Sequence, residues 1–403
     1  MNGLARRSLK VAWLAPYPVQ LLEPRLQLSR RVDSYHACSW IVALSQALSR
    51  MDGIELHLLT ETQLVRHPQT VKLNNITFHV LKNGVPFTSR GFPPWLPLEA
   101  LTGFQFNVRR FVRELREIRP DLVHAHGTET SFAPAAAASG CPCLVSIQGI
   151  VTEYYRTNPS FGFRIVRYSE QRVVRQARYF TCRTQFDSSF VHTYNPAAKI
   201  FMIHEAMNPA YFENQWLPSE SHRVLYVGSA EKRKGLATLL EAIARVRQQI
   251  PDVTLDVIGG GEQLRPLCAQ LQIESCVNFL GRLSAPEIAC QHLQAQVFVL
   301  PSENENSPNA LAEAMVSGMP VIASAVGGIP SMVNDGVTGL LVPPRDPGSL
   351  ADRIVRLLKH PEERERLGRN ARQVACERHH PERIAADTVA AYNEILRAQE
   401  WKP

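Results

Sequence analysis

The feature that most constrains this chain is an alternation of short, densely apolar runs with longer segments of helical periodicity. Lys10 to Ala15 (KVAWLA), Leu56 to Thr60, Ile76 to Val80, Leu122 to His126 and Leu144 to Ile147 read as buried strands. Helix signals such as Ser39 to Arg50 lie between several of them. The second half repeats the pattern more cleanly in RVLYVGS, LDVIGG, VNFLG, VFVLPS, PVIAS and GLLVPP. Such alternation predicts mostly parallel sheets covered on both faces by helices. At 403 residues the chain exceeds what one hydrophobic core usually covers, so two α/β domains in series are expected. The boundary is expected near Asn208 to Glu220, where NPAYFENQWLPSE interrupts the periodicity. Asp346 and Pro347 fit the cap and first turn of a later helix.

Composition excludes several classes. With 45% hydrophobic and 20% charged residues the chain is ordinary and globular. No apolar run approaches the roughly 20 residues needed to span a bilayer, and Pro16 and Pro18 interrupt any secretory core, so a cytoplasmic location is expected. The eight cysteines form no CxxC pair, and Cys141-Pro142-Cys143 has a single intervening residue, which fits buried thiols better than a metal or disulfide role. The net charge of +7 leaves two readings open for the arginine-rich helix Phe106 to Pro120 (FNVRRFVRELREIRP). It is a solvated helix packed on a sheet through Phe106, Val108, Phe111, Val112, Leu115 and Ile118, or its Arg109, Arg110, Arg113 and Arg116 meet an anionic membrane.

In doubly wound sheets ligands bind beyond the carboxyl ends of the strands, so the loops there deserve the closest reading. After YVG comes Ser229-Ala-Glu-Lys-Arg-Lys-Gly235, where Arg233 and Lys234 lie close to a helix start and can meet a diphosphate, or simply face solvent. After LDVI comes Gly259-Gly260-Gly261-Glu262, a glycine run that lets backbone approach a ligand. Ser302 to Ser324 then places Glu305 in a loop and Glu313 inside the following helix, with Ser307 expected as N-cap, Pro308 as the first helical residue and Gly318 ending it. A carboxylate can accept two hydroxyl hydrogens from a vicinal diol, which suits a ribose or hexose. The plainer alternative is that Glu305 caps and Glu313 sits on a solvated face.

From Val224 to about Leu357 the chain resembles the nucleotide-sugar domain of the retaining GT-B glycosyltransferases that carry an ExxxxxxxE motif, the glycosyltransferase family 4-like enzymes. That family includes sucrose synthase-like, glycogen synthase-like and bacterial lipopolysaccharide and mannosyl transferases. The motif stands here as Glu305 to Glu313, followed by AMVSGMPVIASAVGGIPSMVNDGVTGLLVPP. In the first half YPV, HAHG and CRTQFD fit more loosely.

The resemblance implies two Rossmann-like α/β/α domains facing each other across a cleft. Residues 1–208, completed by a helix from about 381 to 403, would take the acceptor, and 209–380 the nucleotide sugar. Lys234 would bind the diphosphate, Glu313 the ribose hydroxyls and Glu305 the transferred sugar. Asn306, Pro308, Asn309 and Ala310 would join Glu305, with Leu283 beside the base. Arg233, Ser229 and Gly260 complete the expected donor set. Neither a metal nor another cofactor is implied, because positive side chains and helix dipoles serve the diphosphate.

The pattern departs from the family at several positions. Ser229 stands where an arginine is usual, with Arg233 or Lys232 as neighbouring substitutes. Gln148 in SIQG replaces a usual histidine and cannot act as acid or base near pH 7. Arg30 to His36 replaces a glycine pair, which makes His36 a candidate for orienting acceptor or phosphate beside Gln148 and Arg183. His126 of HAHG is either a catalytic candidate with Glu305 and Lys234 or a core histidine, and Arg183 is either an orienting or a structural arginine.

The expected function is transfer of a sugar, with retention, from a UDP- or GDP-sugar to a carbohydrate or lipid-linked acceptor in glycan or cell-envelope polysaccharide synthesis. Nucleic acid is not an expected partner, peripheral contact with the inner face of a membrane is, and the oligomeric state is open. The rivals are an epimerase or phosphorylase on the same fold, and a non-catalytic sugar-nucleotide or membrane-associated binding protein.

Overall fold

The computed structural model of the chain describes residues 8–30, 38–83, 98–213, 215–217 and 220–400. It divides into two compact units, Met1–Ala206 with Pro381–Pro403, and Met207–His380.

The first unit is built from β1 (Leu9–Leu14), α1 (Ser39–Ser49), β2 (Ile54–Thr62), β3 (Gln69–Leu73), β4 (Ile76–Lys82), α2 (Leu98–Leu101), α3 (Gln105–Ile118), β5 (Leu122–His126), α4 (Phe132–Ala138), β6 (Cys143–Ser146), α5 (Val151–Thr157), α6 (Phe161–Gln176), β7 (Tyr179–Cys182), α7 (Gln185–Tyr194) and β8 (Lys199–Met202). Among the described residues its sheet runs β3-β4-β2-β1-β5-β6-β7-β8, parallel throughout except that β3 pairs antiparallel with β4. The second unit holds α8 (Ala210–Glu213), β9 (Arg223–Val227), α9 (Leu236–Gln249), β10 (Thr254–Ile258), α10 (Arg265–Gln270), β11 (Val277–Gly281), α11 (Ala285–Gln294), β12 (Val297–Leu300), α12 (Asn309–Ser317), β13 (Val321–Ser324), β14 (Leu340–Val342), α13 (Pro347–Lys359) and α14 (Pro361–His379). Its sheet is all parallel in the order β11-β10-β9-β12-β13-β14. α15 (Pro381–Glu400) returns to the first unit.

The sequence dictates these elements through burial on both faces. Val297 to Leu300 are all buried, as are Val11 to Leu14, so alternation is absent and each sheet is covered on both sides. α9 buries Leu236, Leu239, Leu240, Ile243 and Val246, a stripe at the helical period. α13 starts where expected, with Asp346 Oδ1 accepting from the Ser349 N–H at 2.9 Å and Pro347 at its first position. In both sheets the strand order reverses direction once. That switch point lies between β1 and β5 in the first unit and between β9 and β12 in the second, and it leaves a crevice at the carboxyl ends of those strands.

α15 is held to the first sheet by a directed polar chain. The indole N–H of Trp13 donates to the Tyr392 hydroxyl at 2.8 Å, so that hydroxyl's own proton goes to His124 Nδ1 at 2.7 Å. His124 Nε2–H then donates to Ser146 Oγ at 2.7 Å, and the Ser146 and Thr181 hydroxyls share a hydrogen bond at 2.6 Å. Burial pushes the imidazole pKa down to about 3, so His124 is a neutral relay of hydrogen bonds.

Three expectations are corrected. α12 begins at Asn309, with Pro308 in extended conformation (ψ 117°) as its cap, so Ser307 is not the N-cap and Pro308 is not the first helical residue. Proline's fixed φ serves an extended cap as readily as a first turn, which is why sequence left the two unresolved. Phe106 does not join the buried stripe of α3; it is 52% exposed, because the core face is set by Asn107, Val108, Phe111, Val112, Leu115 and Ile118. Glu313 lies on no solvated face, since its side chain is fully buried. β3, β7 and β8 are additional strands that the apolar pattern does not announce. β3 and β8 carry half-exposed and charged positions at the sheet edges, and β7 is short.

Candidate functional site

The second unit concentrates its polar groups at the β9/β12 switch point. The loop after β9 turns at Lys232–Lys234 and enters α9 through Gly235, whose φ of 70° is left-handed. A Cβ there would run into the Pro301 carbonyl, so only glycine lets this loop lie against the loop after β12. The Glu303 N–H donates to the Arg233 carbonyl at 2.7 Å and joins the two loops. Their contact delivers Lys234 Nζ to Glu305 Oε1 at 2.5 Å. Ser302, fully buried, donates its hydroxyl to the same oxygen at 2.9 Å, and the Gly328 N–H from the loop after β13 donates to the Glu305 carbonyl at 3.1 Å. Glu305 is therefore a nearly buried carboxylate with a cation on one oxygen, at the entry to α12, whose first N–H groups have no intrahelical acceptor.

Around this pair Asn306 and Pro308 are buried, and Asn309 and Ala310 are half-buried at the first turn of α12. Glu313, one turn further on, is enclosed beside the Tyr211 hydroxyl of α8. Burial first, and the Glu313 carboxylate second, push the Tyr211 phenol well above its ordinary range. Gly260, after β10, has a left-handed φ of 113°, and a Cβ there would meet only the Glu262 carboxylate, at 3.9 Å. Leu283 is half-buried against the apolar cluster that holds Leu311 and Met315. Arg233 turns to Glu231, donating from Nε at 2.8 Å. The Ser229 carbonyl accepts from the Tyr226 hydroxyl at 2.7 Å.

In the first unit, residues from the carboxyl ends of β5 to β8 gather around a void of about 20 Å³ lined by His126, Gln148, Arg183, His204, Glu205 and Trp40 among others. Arg183 is buried, donates to Glu205 Oε1 at 2.9 Å and lies over the Trp40 ring at 5.8 Å. The His126 ring is tilted against those of His124 and Trp13, with centroids 4.0 and 4.5 Å away, and burial, with His124 and Arg183 beside it, holds its pKa well below the ordinary value. It is neutral, so it can accept or donate a hydrogen bond but does not carry charge. His36 lies outside the described residues.

Three residues of these clusters were not singled out by sequence. Glu129, half-buried after β5, accepts from the Gly149 N–H at 2.5 Å, and its enclosure raises its pKa. Its only signal is its place two residues beyond HAHG. Ser302 sits three residues before Glu305, a spacing at which hydroxyl and carboxylate commonly meet in a turn. Tyr211 lies in a stretch read as a domain boundary, yet its ring is fully buried.

Among the described residues no group of three or more His, Cys, Asp or Glu side chains is placed to hold a metal ion, and no helix is long and apolar enough to cross a membrane.

The family described as Glycosyl transferases group 1 matches residues 208–374, and Glycosyltransferase Family 4 matches 13–211. An MMP α-(1→4)-mannosyltransferase of Mycolicibacterium hassiacum is 37% identical over 180 residues, 43% of this chain and 44% of that protein. A D-inositol 3-phosphate glycosyltransferase of Streptomyces bingchenggensis is 33% identical over 297 residues, 70% of this chain. The chain thus spans 44% and 62% of the length of these two relatives. Among solved structures, sucrose-phosphate synthase from Thermosynechococcus elongatus superposes with a TM-score of 0.78 at 22% identity, covering 97% of this chain and all (100%) of the other. Anabaena HepE in complex with UDP-glucose gives 0.68 at 18% identity, over 96% of this chain and 100% of the other. At these identities the two structures show a shared fold.

Proposed function

The chain belongs to the GT-B glycosyltransferases of the group 1 and family 4 kind, and from that membership we propose that it transfers a sugar, with retention, from a nucleoside diphosphate sugar to a carbohydrate or lipid-linked acceptor. The observation that carries this reading is the Lys234–Glu305 pair at the β9/β12 switch point, just ahead of the first turn of α12. A diphosphate entering there exchanges the single carboxylate partner of Lys234 for phosphate oxygens. The α12 N-terminus adds partial positive charge without bringing a counter-ion.

When the bond from the sugar to the diphosphate breaks, negative charge grows on the leaving oxygen. Lys234, once it has exchanged Glu305 for the phosphate oxygens, and the helix N–H groups stabilise that charge, which lowers the barrier without a nucleophilic side chain. Glu305, released from the lysine, accepts hydroxyl protons of the transferred sugar, with Asn306, Pro308, Asn309 and Ala310 supporting it. Glu313 reaches ribose hydroxyls by swinging out from beside Tyr211, and Leu283 flanks the base. Ser229 and Arg233 complete the donor set from the same loop, Arg233 exchanging its Glu231 partner as Lys234 exchanges Glu305. The first unit, to which α15 belongs, takes the acceptor among His126, Gln148 and Arg183, and the leaving phosphate itself removes the acceptor proton. Turnover needs no metal in this reading. Peripheral contact of arginines on the first unit with an anionic membrane would present a lipid-linked acceptor, on the cytoplasmic side.

The test is to incubate the full chain with UDP-, GDP-, ADP-, dTDP- and CMP-sugars against a panel of acceptors and follow nucleotide release and the anomeric configuration of the product. Release that depends on acceptor, with an anomer matching the donor, is expected with one donor class. Inversion would overturn the retaining mechanism, and interconversion of the donor sugar without acceptor would favour an epimerase.

A further inference from the structure

The first unit carries an open groove of about 690 Å³ that plays no part in the site described above. Its walls come from the α2–α3 turn, α4 and α6, and include Leu101, Gln105, Pro134, Ile165, Tyr168 and Arg172. Nine large apolar side chains are exposed among the described residues; two of them, Leu101 at 48% and Tyr168 at 56%, line the groove, Phe161 at 48% stands one turn before the lining Ile165 on α6, and Phe106 at 52% follows the lining Gln105 in the chain. Scattered exposed apolar residues need no explanation, but a concentration at the mouth of a groove marks a surface that meets something apolar.

The pattern on α6 says what that something is. Phe161, Ile165, Tyr168 and Arg172 stand at i, i+4, i+7 and i+11, so they share one face of the helix. Arg164 and Arg175 lie close to that stripe on the same side by helical spacing. The one acid of the helix, Glu170, is fully buried and accepts from the Val151 and Thr152 N–H groups at 2.9 and 2.8 Å, so it offers no negative charge to the surface. On the opposite wall, Gln105 lines the groove, and Arg109 and Arg116 follow it at i+4 and i+11. Aromatic side chains flanked by arginines whose charged ends reach outward are the chemistry of a lipid headgroup boundary, where rings enter the acyl edge and guanidinium groups meet phosphates.

We infer that this face of the first unit, formed by α6 and the α2–α3 turn, docks on the surface of an anionic lipid bilayer, with Phe161, Tyr168, Leu101 and Phe106 entering it and Arg164, Arg172 and Arg109 pairing with headgroup phosphates. It deepens the peripheral-contact part of the proposed function and moves the contact from the arginines of α3 alone to a groove whose second wall is α6. It does not depend on the donor chemistry.

The full chain is sedimented with vesicles of phosphatidylcholine alone and with roughly a third phosphatidylglycerol, at low and high salt. Binding to the anionic vesicles that weakens with salt is expected, at least fivefold above that to neutral vesicles. Two variants, Phe161→Ser with Tyr168→Ser and Arg164→Glu with Arg172→Glu, change exposed side chains, and their thermal melts should match the parent. Each should lower vesicle binding at least fivefold, while nucleotide release with a soluble acceptor stays unchanged. No binding to anionic vesicles, binding unchanged in both variants, or self-association lost in the aromatic variant without vesicle binding would each overturn the inference. A parent chain that binds anionic vesicles but releases no nucleotide with any donor and acceptor would count against the glycosyltransfer reading and leave this one standing.

Discussion

Lys234 and Glu305 are each other's partner in a nearly closed loop cluster, so removing the lysine leaves a carboxylate with Ser302 as its one remaining side-chain donor among the contacts described above. Lys234→Ala is therefore expected to lower kcat/KM by roughly 100-fold or more, the size of a lost charge-stabilising donor, with a Tm change checked separately by calorimetry. Lys234→Ala and Glu305→Gln combined should cost less stability than the sum of the two single changes, because the double variant strands neither charge. A fully additive double-mutant cycle would contradict the pairing. Glu313 poses a different question, since it must leave Tyr211 to reach a ligand. Tyr211→Phe removes the hydroxyl that faces the carboxylate and should change donor KM with little effect on kcat; steady-state kinetics on the parent and the variant checks this. The spacing of the two glutamates was legible because carboxylates eight positions apart around Pro308 stand out. Tyr211 and Glu129 were not, because each matters through a contact with a residue distant in the chain, and Ser302 was not, because its contact with Glu305 is local but a serine three residues before a glutamate is too common a spacing to stand out.

At the scale of elements, α2 and β2 hold a pair of carboxylates that makes the first unit sensitive to pH. Burial, and then the Glu99 carboxylate, push Glu61 from 4.5 up to about 7, against the opposing effect of the Ser131 hydroxyl and Arg110. An acid whose folded pKa is raised favours folding fully below its unfolded value, and that contribution is lost as pH rises from 4.5 to about 7. Glu61→Gln should thus gain stability relative to the parent at pH 8 and not at pH 4, by on the order of 2 kcal/mol in urea melts. An equal difference at both values would contradict the assignment. α15 is tied to the sheet through Tyr392, and Tyr392→Phe leaves the buried Trp13 N–H and His124 Nδ1 without their partner. A loss of about 1–3 kcal/mol is expected, read from denaturant midpoints. The strands of the second unit were legible because they are uninterrupted apolar runs. β3 and β8 were not, because edge strands satisfy one side with solvent and need no such run. The start of α12 was misplaced by one residue because proline's φ suits either side of a helix boundary.

Over the whole molecule, the strand order of each sheet explains why the residues that matter fall where they do. A parallel sheet that reverses its winding once must open a crevice at that point, and the loops after β9 and β12 are the two that border it in the second unit. The alternation of strand and helix could be read from sequence, and so could the two-domain size. The reversal could not, because it depends on which edge each strand joins, and that is settled by packing of the covering helices. The central claim, that this crevice holds the diphosphate of a nucleotide sugar, is tested most directly by calorimetric titration of UDP, GDP, ADP, dTDP and CMP into the full chain and into Lys234→Ala. The account predicts saturable binding of one nucleoside diphosphate without added metal, weakened at least tenfold in the variant. Binding of none of them, or binding that Lys234→Ala leaves unchanged, would contradict it.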